Sequence, residues 1–181
     1  MDNAGDYLHF RTETDQDNVA WLTFDKAETG TNVFSPDVLD ELERLLQGIA
    51  AQHPRGLVVL SGKPGGFIAG ANIRSFTRVR NEQDATAFLQ RGQEVFNRLA
   101  ACTFPTVAMI HGFCLGGGTE MALACRYRVM RDDPGTRIGL PEVRLGIHPG
   151  WGGSARMVPL IGAVKAMDLI LSGRSIDGRA A

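Results

Sequence analysis

Two short apolar runs, residues 57–60 and 106–110, most constrain the fold, because each follows a long segment with helical periodicity. Both are rich in β-branched residues and bounded by glycine, proline or polar turns, which suits strands buried on both faces. The first crossover predicts a helix opening at Ser35 as N-cap and Pro36 as first helical residue. Val38, Leu39, Leu42, Leu45, Leu46 and Ile49 then fall on one face. The second predicts a helix over 82–101 with Phe88, Leu89, Val95, Phe96 and Leu99 inward. Buried strands joined by helical crossovers imply an α/β fold with mostly parallel pairing.

The remaining elements fit around this frame. Residues 7–14 and 19–24 flank the turn-like Asp15-Gln16-Asp17-Asn18 and predict a hairpin. Short strands are expected over 127–130 and 137–139, a short helix over 119–125, and a helix pair over 154–161 and 163–171. Residues 145–153 read as a Pro/Gly loop. Residues 176–181 read as the start of another helix, so the chain is expected to be one domain, 1–181, truncated at its C-terminal end.

The formal charge of −1 gives no footprint for nucleic acid or an anionic membrane. No apolar run approaches the roughly 18 residues of a membrane span. The acidic, polar stretch 1–6 does not look like a signal peptide. Cys102, Cys114 and Cys125 are odd in number and lack ligand spacing, which predicts free thiols in a reducing cytoplasm. No histidine–carboxylate cluster has metal spacing. His9 and His53 read as surface, His111 as structural, and His148 as a possible border to a pocket.

Three features carry chemistry. The triplet Gly116, Gly117 and Gly118 follows a strand and opens a helix. Such amides carry partial positive charge and suit a developing oxyanion; a tight turn is the plainer reading. Neither a dinucleotide fingerprint nor a P-loop fits the spacing. The stretch Phe67-Ile68-Ala69-Gly70-Ala71-Asn72-Ile73 also allows close backbone approach, or is simply a flexible loop. Glu120 and Glu142 lie in glycine-rich and apolar contexts, where most glutamates would be solvated surface instead. In a shared cleft, burial and repulsion would raise at least one pKa and split the pair into acid and base.

In this order the pieces resemble the enoyl-CoA hydratase/isomerase (crotonase) family. The matching stretches are 67–73, 111–125 and 139–156, with looser similarity along nearly the whole chain. Residues 131–134 and 140–150 look closest to the N-terminal hydratase part of multifunctional fatty-acid oxidation enzymes. The resemblance implies a ClpP/crotonase-like spiral of ββα units, here lacking the C-terminal helices, and assembly as trimers or fusion to a dehydrogenase domain. It implies that the backbone N–H groups of Ala71 and Gly117 hold the thioester oxygen. Glu142 would protonate C2, and Glu120 would activate water. Ala69, Gly70, Asn72, Ile73, Gly116, Pro141 and Trp151 would contact an acyl-CoA substrate, with no separate cofactor and no metal. Trp151, Met157 and Phe113 fit a pocket lining or the core equally.

Two residues depart from the family pattern. Asn72 stands where the family has Asp, which keeps hydrogen-bonding capacity without charge. Arg126 replaces an Asp beyond the catalytic helix, at a position expected to affect surface or subunit contacts. The implied reaction is hydration of trans-2-enoyl-CoA in fatty-acid β-oxidation. The alternatives are enoyl-CoA isomerisation, which needs one base, and a non-catalytic acyl-CoA-binding or assembly module.

Overall fold

The computed structural model describes residues 7–77 and 79–181. The reading of residues 1–6 as unlike a signal peptide lies outside the described residues.

Two sheets carry the fold. The first has strands β1 (Phe10–Thr14), β2 (Val19–Phe24), β3 (Gly56–Ser61), β5 (Thr106–Ile110) and β7 (Tyr127–Met130), in the order β1-β2-β3-β5-β7. The second has β4 (Gly66–Ile68), β6 (Phe113–Leu115), β8 (Arg137–Gly139) and β9 (Ser175–Asp177), in the order β4-β6-β8-β9. The β1–β2 hairpin is antiparallel, and β2–β3, β3–β5 and β5–β7 are parallel. In the hairpin turn, Asp15 accepts the amides of Asp17 and Val19, and Asn18 takes the left-handed φ of 58° that asparagine tolerates.

The helical crossovers lie where the periodicity places them. Helix α1 (Pro36–Ala51) buries Val38, Leu39, Leu42, Leu45, Leu46 and Ile49. Helix α3 (Glu82–Ala100) buries Val95, Phe96 and Leu99, and its first turn is capped by Asn81. Leu89, expected inward, is 39% exposed, because the buried face of α3 turns toward Gly92 and Val95. Ser35 is the N-cap of α1, but its hydroxyl accepts Lys26 Nζ at 2.8 Å and makes no cap bond.

The strands are not buried on both faces. Leu57, Val59, Ala108 and Ile110 face the helices, whereas Met109, Tyr127 and Val129 alternate outward and are exposed. Strict alternation is what helices on one face of a sheet produce. His9, read as surface, is buried: its Nε2 pairs with Asp37 at 2.8 Å, and its amide donates to the buried Glu41.

The glycine-rich segment 112–118 contains β6 and is not all turn. The stretch 67–73 is not a flexible loop; it holds the end of β4 and runs into helix α2 (Ile73–Phe76). The expected helix over 176–181 is also corrected. Residues 175–177 pair antiparallel with β8, because the exposed edge of β8 supplies hydrogen bonds that local propensity does not foresee. Helix α4 (Gly117–Ala124) sits at the centre, with Gly117, Gly118, Thr119, Glu120, Met121, Ala122 and Ala124 buried. A helix apolar or small all round belongs inside. Helices α5 (Gly153–Ile161) and α6 (Ala163–Ser172) pack Met157, Ala166 and Leu169 on Leu140 as a second core.

Candidate active site

Strand β6 delivers the chain to the start of α4 through a turn at Gly116, whose φ is 54°. That angle is strained for any residue with a Cβ. The Gly116 amide donates to Gly139 O at 3.0 Å, and Thr119 Oγ1 bonds Cys114 O and Gly139 O. These bonds tie the first turn of α4 to β6 and β8. A 3₁₀ turn, Glu142–Leu145, begins just beyond β8. A methyl group placed on Gly116 would stand 3.3 Å from Glu142 Oε1, so this carboxyl lies directly over the glycine turn.

The segment 69–72 closes against the same turn. Phe34 accepts the Asn72 amide at 2.7 Å and donates its own amide to Gly70 O at 2.8 Å; Ala69 donates to Asn32 O at 2.9 Å. Gly70 has a φ of 114°, and a methyl there would stand 3.3 Å from the Gly117 nitrogen. The amides of Ala71 and Gly117 thus belong to neighbouring strands of chain, and neither bonds to another described residue. Asn72 Oδ1 caps α2 by accepting the Arg74 amide at 3.1 Å, a role an aspartate would fill equally well.

The two carboxyls occupy opposite environments. Glu120 is 2% exposed, and its Oε1 accepts the amides of Trp151 at 2.7 Å and Gly153 at 2.9 Å. Glu142 is 8% exposed, and its buried Oε2 has no partner among the described residues. Burial raises both pKa values. For Glu142 the rise reaches about 7; its own backbone amide and His148 oppose it, and the nearby Glu120 charge adds to it. For Glu120 the rise is opposed by the Gly153 and Trp151 amides, then by Arg156 and His148. Glu120 is thus held by two amides from distant chain, whereas Glu142 has only its own amide and an unpartnered Oε2.

The remaining residues expected at the site divide. Gly70, Gly116 and Gly117 are buried; Ala69, Ala71, Asn72 and Pro141 are half-buried beside them; Ile73 is exposed on α2. The Trp151 ring lies in the core, 3% exposed, against Phe34, Phe88 and Phe96; its edge meets Gly117 and its amide donates to Glu120. Met157 is also core, whereas Phe113 is half-buried against Gly65 and Gly66. His148 is exposed but close enough to influence both carboxyls. Arg126 is on the surface, and the ring of His111 bonds Lys63 O.

Asn32, Phe34 and Arg156 were not foreseen. Asn32 is fully buried, and its amide bonds Phe24 O and Ser61 Oγ. The only sequence signal was an asparagine ahead of a helix start, which reads as an ordinary turn. A surface groove lined by Leu60, Met109, His111 and Val129 lies apart from both carboxyls. It is shallow and apolar, so the site is assigned by the converging amides and carboxyls. Among the described residues no three His, Cys, Asp or Glu side chains converge to hold a metal ion.

In sequence and in fold the chain is similar to known proteins. The enoyl-CoA hydratase/isomerase family model matches residues 14–181. The chain belongs to this family. It is 43% identical over 174 residues to the fatty acid oxidation complex subunit alpha of Aliivibrio fischeri, covering 95% of this chain and 25% of that protein. It thus spans about a quarter of the length of the curated relatives it matches. Among solved structures, an enoyl-CoA hydratase from Geobacillus kaustophilus superposes with a TM-score of 0.88 at 29% identity, covering 98% of this chain and 66% of that one. One from Bacillus anthracis gives 0.85 at 28% identity, covering 96% and 66%. The fold is the crotonase fold. No helix among the described residues is long and apolar enough to cross a membrane.

Proposed function

We propose that this site adds water to the double bond of a trans-2-enoyl-CoA, giving the 3-hydroxyacyl-CoA. The observation that carries the reading is the asymmetry of the two carboxyls. Glu120 is held as an acceptor by two amides, whereas Glu142, buried and without a donor on Oε2, keeps its proton to about pH 7. One acid and one base of the same residue type then coexist at neutral pH.

The steps follow from that division. Glu120 takes a proton from water as its oxygen bonds to C3. The electron pair of the double bond moves toward the carbonyl, and charge develops on the thioester oxygen. The unpaired amides of Ala71 and Gly117 stabilise that charge, a contribution of about 10²–10³ in rate for a single donor. Glu142 gives its proton to C2, and proton exchange with solvent restores the pair. The reaction consumes only water and uses no cofactor or metal. Ala69, Gly70, Asn72, Ile73, Gly116 and Pro141 border the acyl-CoA in this reading.

The test follows the loss of the conjugated thioester absorbance of crotonyl-CoA. Glu120→Gln and Glu142→Gln are each expected to lose about 10²–10⁴-fold, the range of general acid–base groups. Unchanged turnover in either variant rejects the assignment. A 3-enoyl-CoA distinguishes isomerisation, which would survive Glu120→Gln. Acyl-CoA binding without any turnover would mark a binding module.

A further inference from the structure

Glycine in a helix interior weakens the helix relative to alanine, so Gly92 within α3 calls for a reason. A methyl there would stand 2.3 Å from Trp151 Nε1 and 2.4 Å from its Cε2. The far edge of the same indole meets Gly117, where a methyl would stand 2.6 Å from Cζ3 and 2.8 Å from Cε3. The ring is therefore wedged between α3 and the first residue of α4. Phe34, Phe88 and Phe96 close the other sides, with ring centroids at 5.8, 5.4 and 5.6 Å. Its Nε1 is buried and has no partner among the described residues. Buried indole N–H groups usually find an acceptor, so here shape is what the site uses.

The backbone of the same residue is fixed on both sides. Its amide donates to Glu120 Oε1 at 2.7 Å, and its carbonyl accepts Arg156 Nη1 at 2.8 Å. One residue thus supports Gly117 with its ring and Glu120 with its amide.

We propose that Trp151 is a positioning residue, whose ring, seated in the notch at Gly92, sets the Gly117 amide and the Glu120 carboxylate in register. In this role it acts through Gly117 and Glu120. Its effect on rate rests on the hydratase reading, and its effect on Glu120 does not. Misplacing catalytic groups by about 1 Å costs up to about 10²-fold in rate.

The test compares Trp151→Ala, Trp151→Phe and Gly92→Ala in the purified protein, with Leu46→Ala as a core deletion remote from the site. Trp151→Ala and Gly92→Ala are expected to lower kcat on crotonyl-CoA by about 10–100-fold with KM within about threefold, and Trp151→Phe to recover to within about threefold. Leu46→Ala lowers the melting temperature but leaves kcat of the folded protein unchanged. Wild-type kcat in folded Gly92→Ala and Trp151→Ala, or a change confined to KM, overturns the proposal. If Trp151→Ala does not fold, Gly92→Ala and Trp151→Phe decide. Absence of any wild-type turnover would reject the reaction assignment alone. The positioning role is then judged by ¹³C titration of the Glu120 carboxyl, beside which lie Glu142, His148 and Arg156. Its titration moves in Trp151→Ala and returns in Trp151→Phe; an unmoved titration overturns the proposal.

Discussion

Glu142→Gln should stabilise the protein at the pH where it destroys activity. Burial holds the Glu142 carboxyl up to about 7, against an ordinary 4.5. Between those values the folded chain keeps a proton that the unfolded chain has lost. Stability therefore falls by about 1.4 kcal/mol for each pH unit in that window. The cost is absent well below 4.5 and complete above 7, where it reaches about 3 kcal/mol. Glutamine is neutral throughout and carries no such slope. Relative to wild type, Glu142→Gln is expected to gain roughly 2–3 kcal/mol between pH 5 and pH 8. Urea denaturation of both proteins at the two pH values measures this double difference, from which remote titrating groups cancel. Under the proposed hydratase reading, turnover falls in the same variant, a trade of stability for function that active sites often make. Identical pH dependence of stability in the two proteins would refute the reasoning, since the buried carboxyl would then ionise at its ordinary pH.

Three further outcomes follow from the same structure. If Glu142 is the acid of the proposed hydration, kcat/KM is expected to fall about tenfold per pH unit above about 7; a flat profile from pH 6 to 9 removes that role. Asn72→Ala loses the cap of α2 and is expected to cost about 1 kcal/mol in thermal denaturation, whereas Asn72→Asp keeps it. Equal losses in the two variants would show that the cap contributes nothing. Burial pushes the Cys114 and Cys125 thiols up to about 12, while Cys102 is half-buried. A maleimide at pH 8 should label Cys102 first in the folded protein and all three cysteines in urea; rapid labelling of Cys114 contradicts its burial.

The parallel frame was legible because its signals are local. Val38 to Ile49 repeat at helical spacing, and the runs at 57–60 and 106–110 are too short and too β-branched for helices. What escaped depended on neighbours distant in sequence. Residues 175–177 become a strand only because β8 offers an edge. His9 is buried only because Asp37 and Glu41, about thirty residues on, receive its ring and its amide. The outward face of β5 and β7 stayed hidden because Met109, Tyr127 and Val129 are as apolar as the residues facing the helices. Apolar composition alone does not say which face of a strand is covered.

The site shows the same limit more sharply. Glu120 and Glu142 stand out by their glycine-rich and apolar surroundings, but nothing in a glutamate says whether it will be base or acid. That difference comes from the chain at 151–153, whose amides reach Glu120 from 31 and 33 residues away and leave Glu142 without equivalents. Backbone donors are invisible to residue type, since every residue but proline supplies one. The conformation that aims them is set in turn by the Trp151 ring, by Arg156 on its carbonyl, and by the space left at Gly92 and Gly117. The unequal surroundings of the two carboxyls are therefore encoded largely in residues other than the carboxyls themselves. A methyl at Gly92 should therefore reach Glu120 through the Trp151 ring and amide, although Gly92 does not touch the carboxyl.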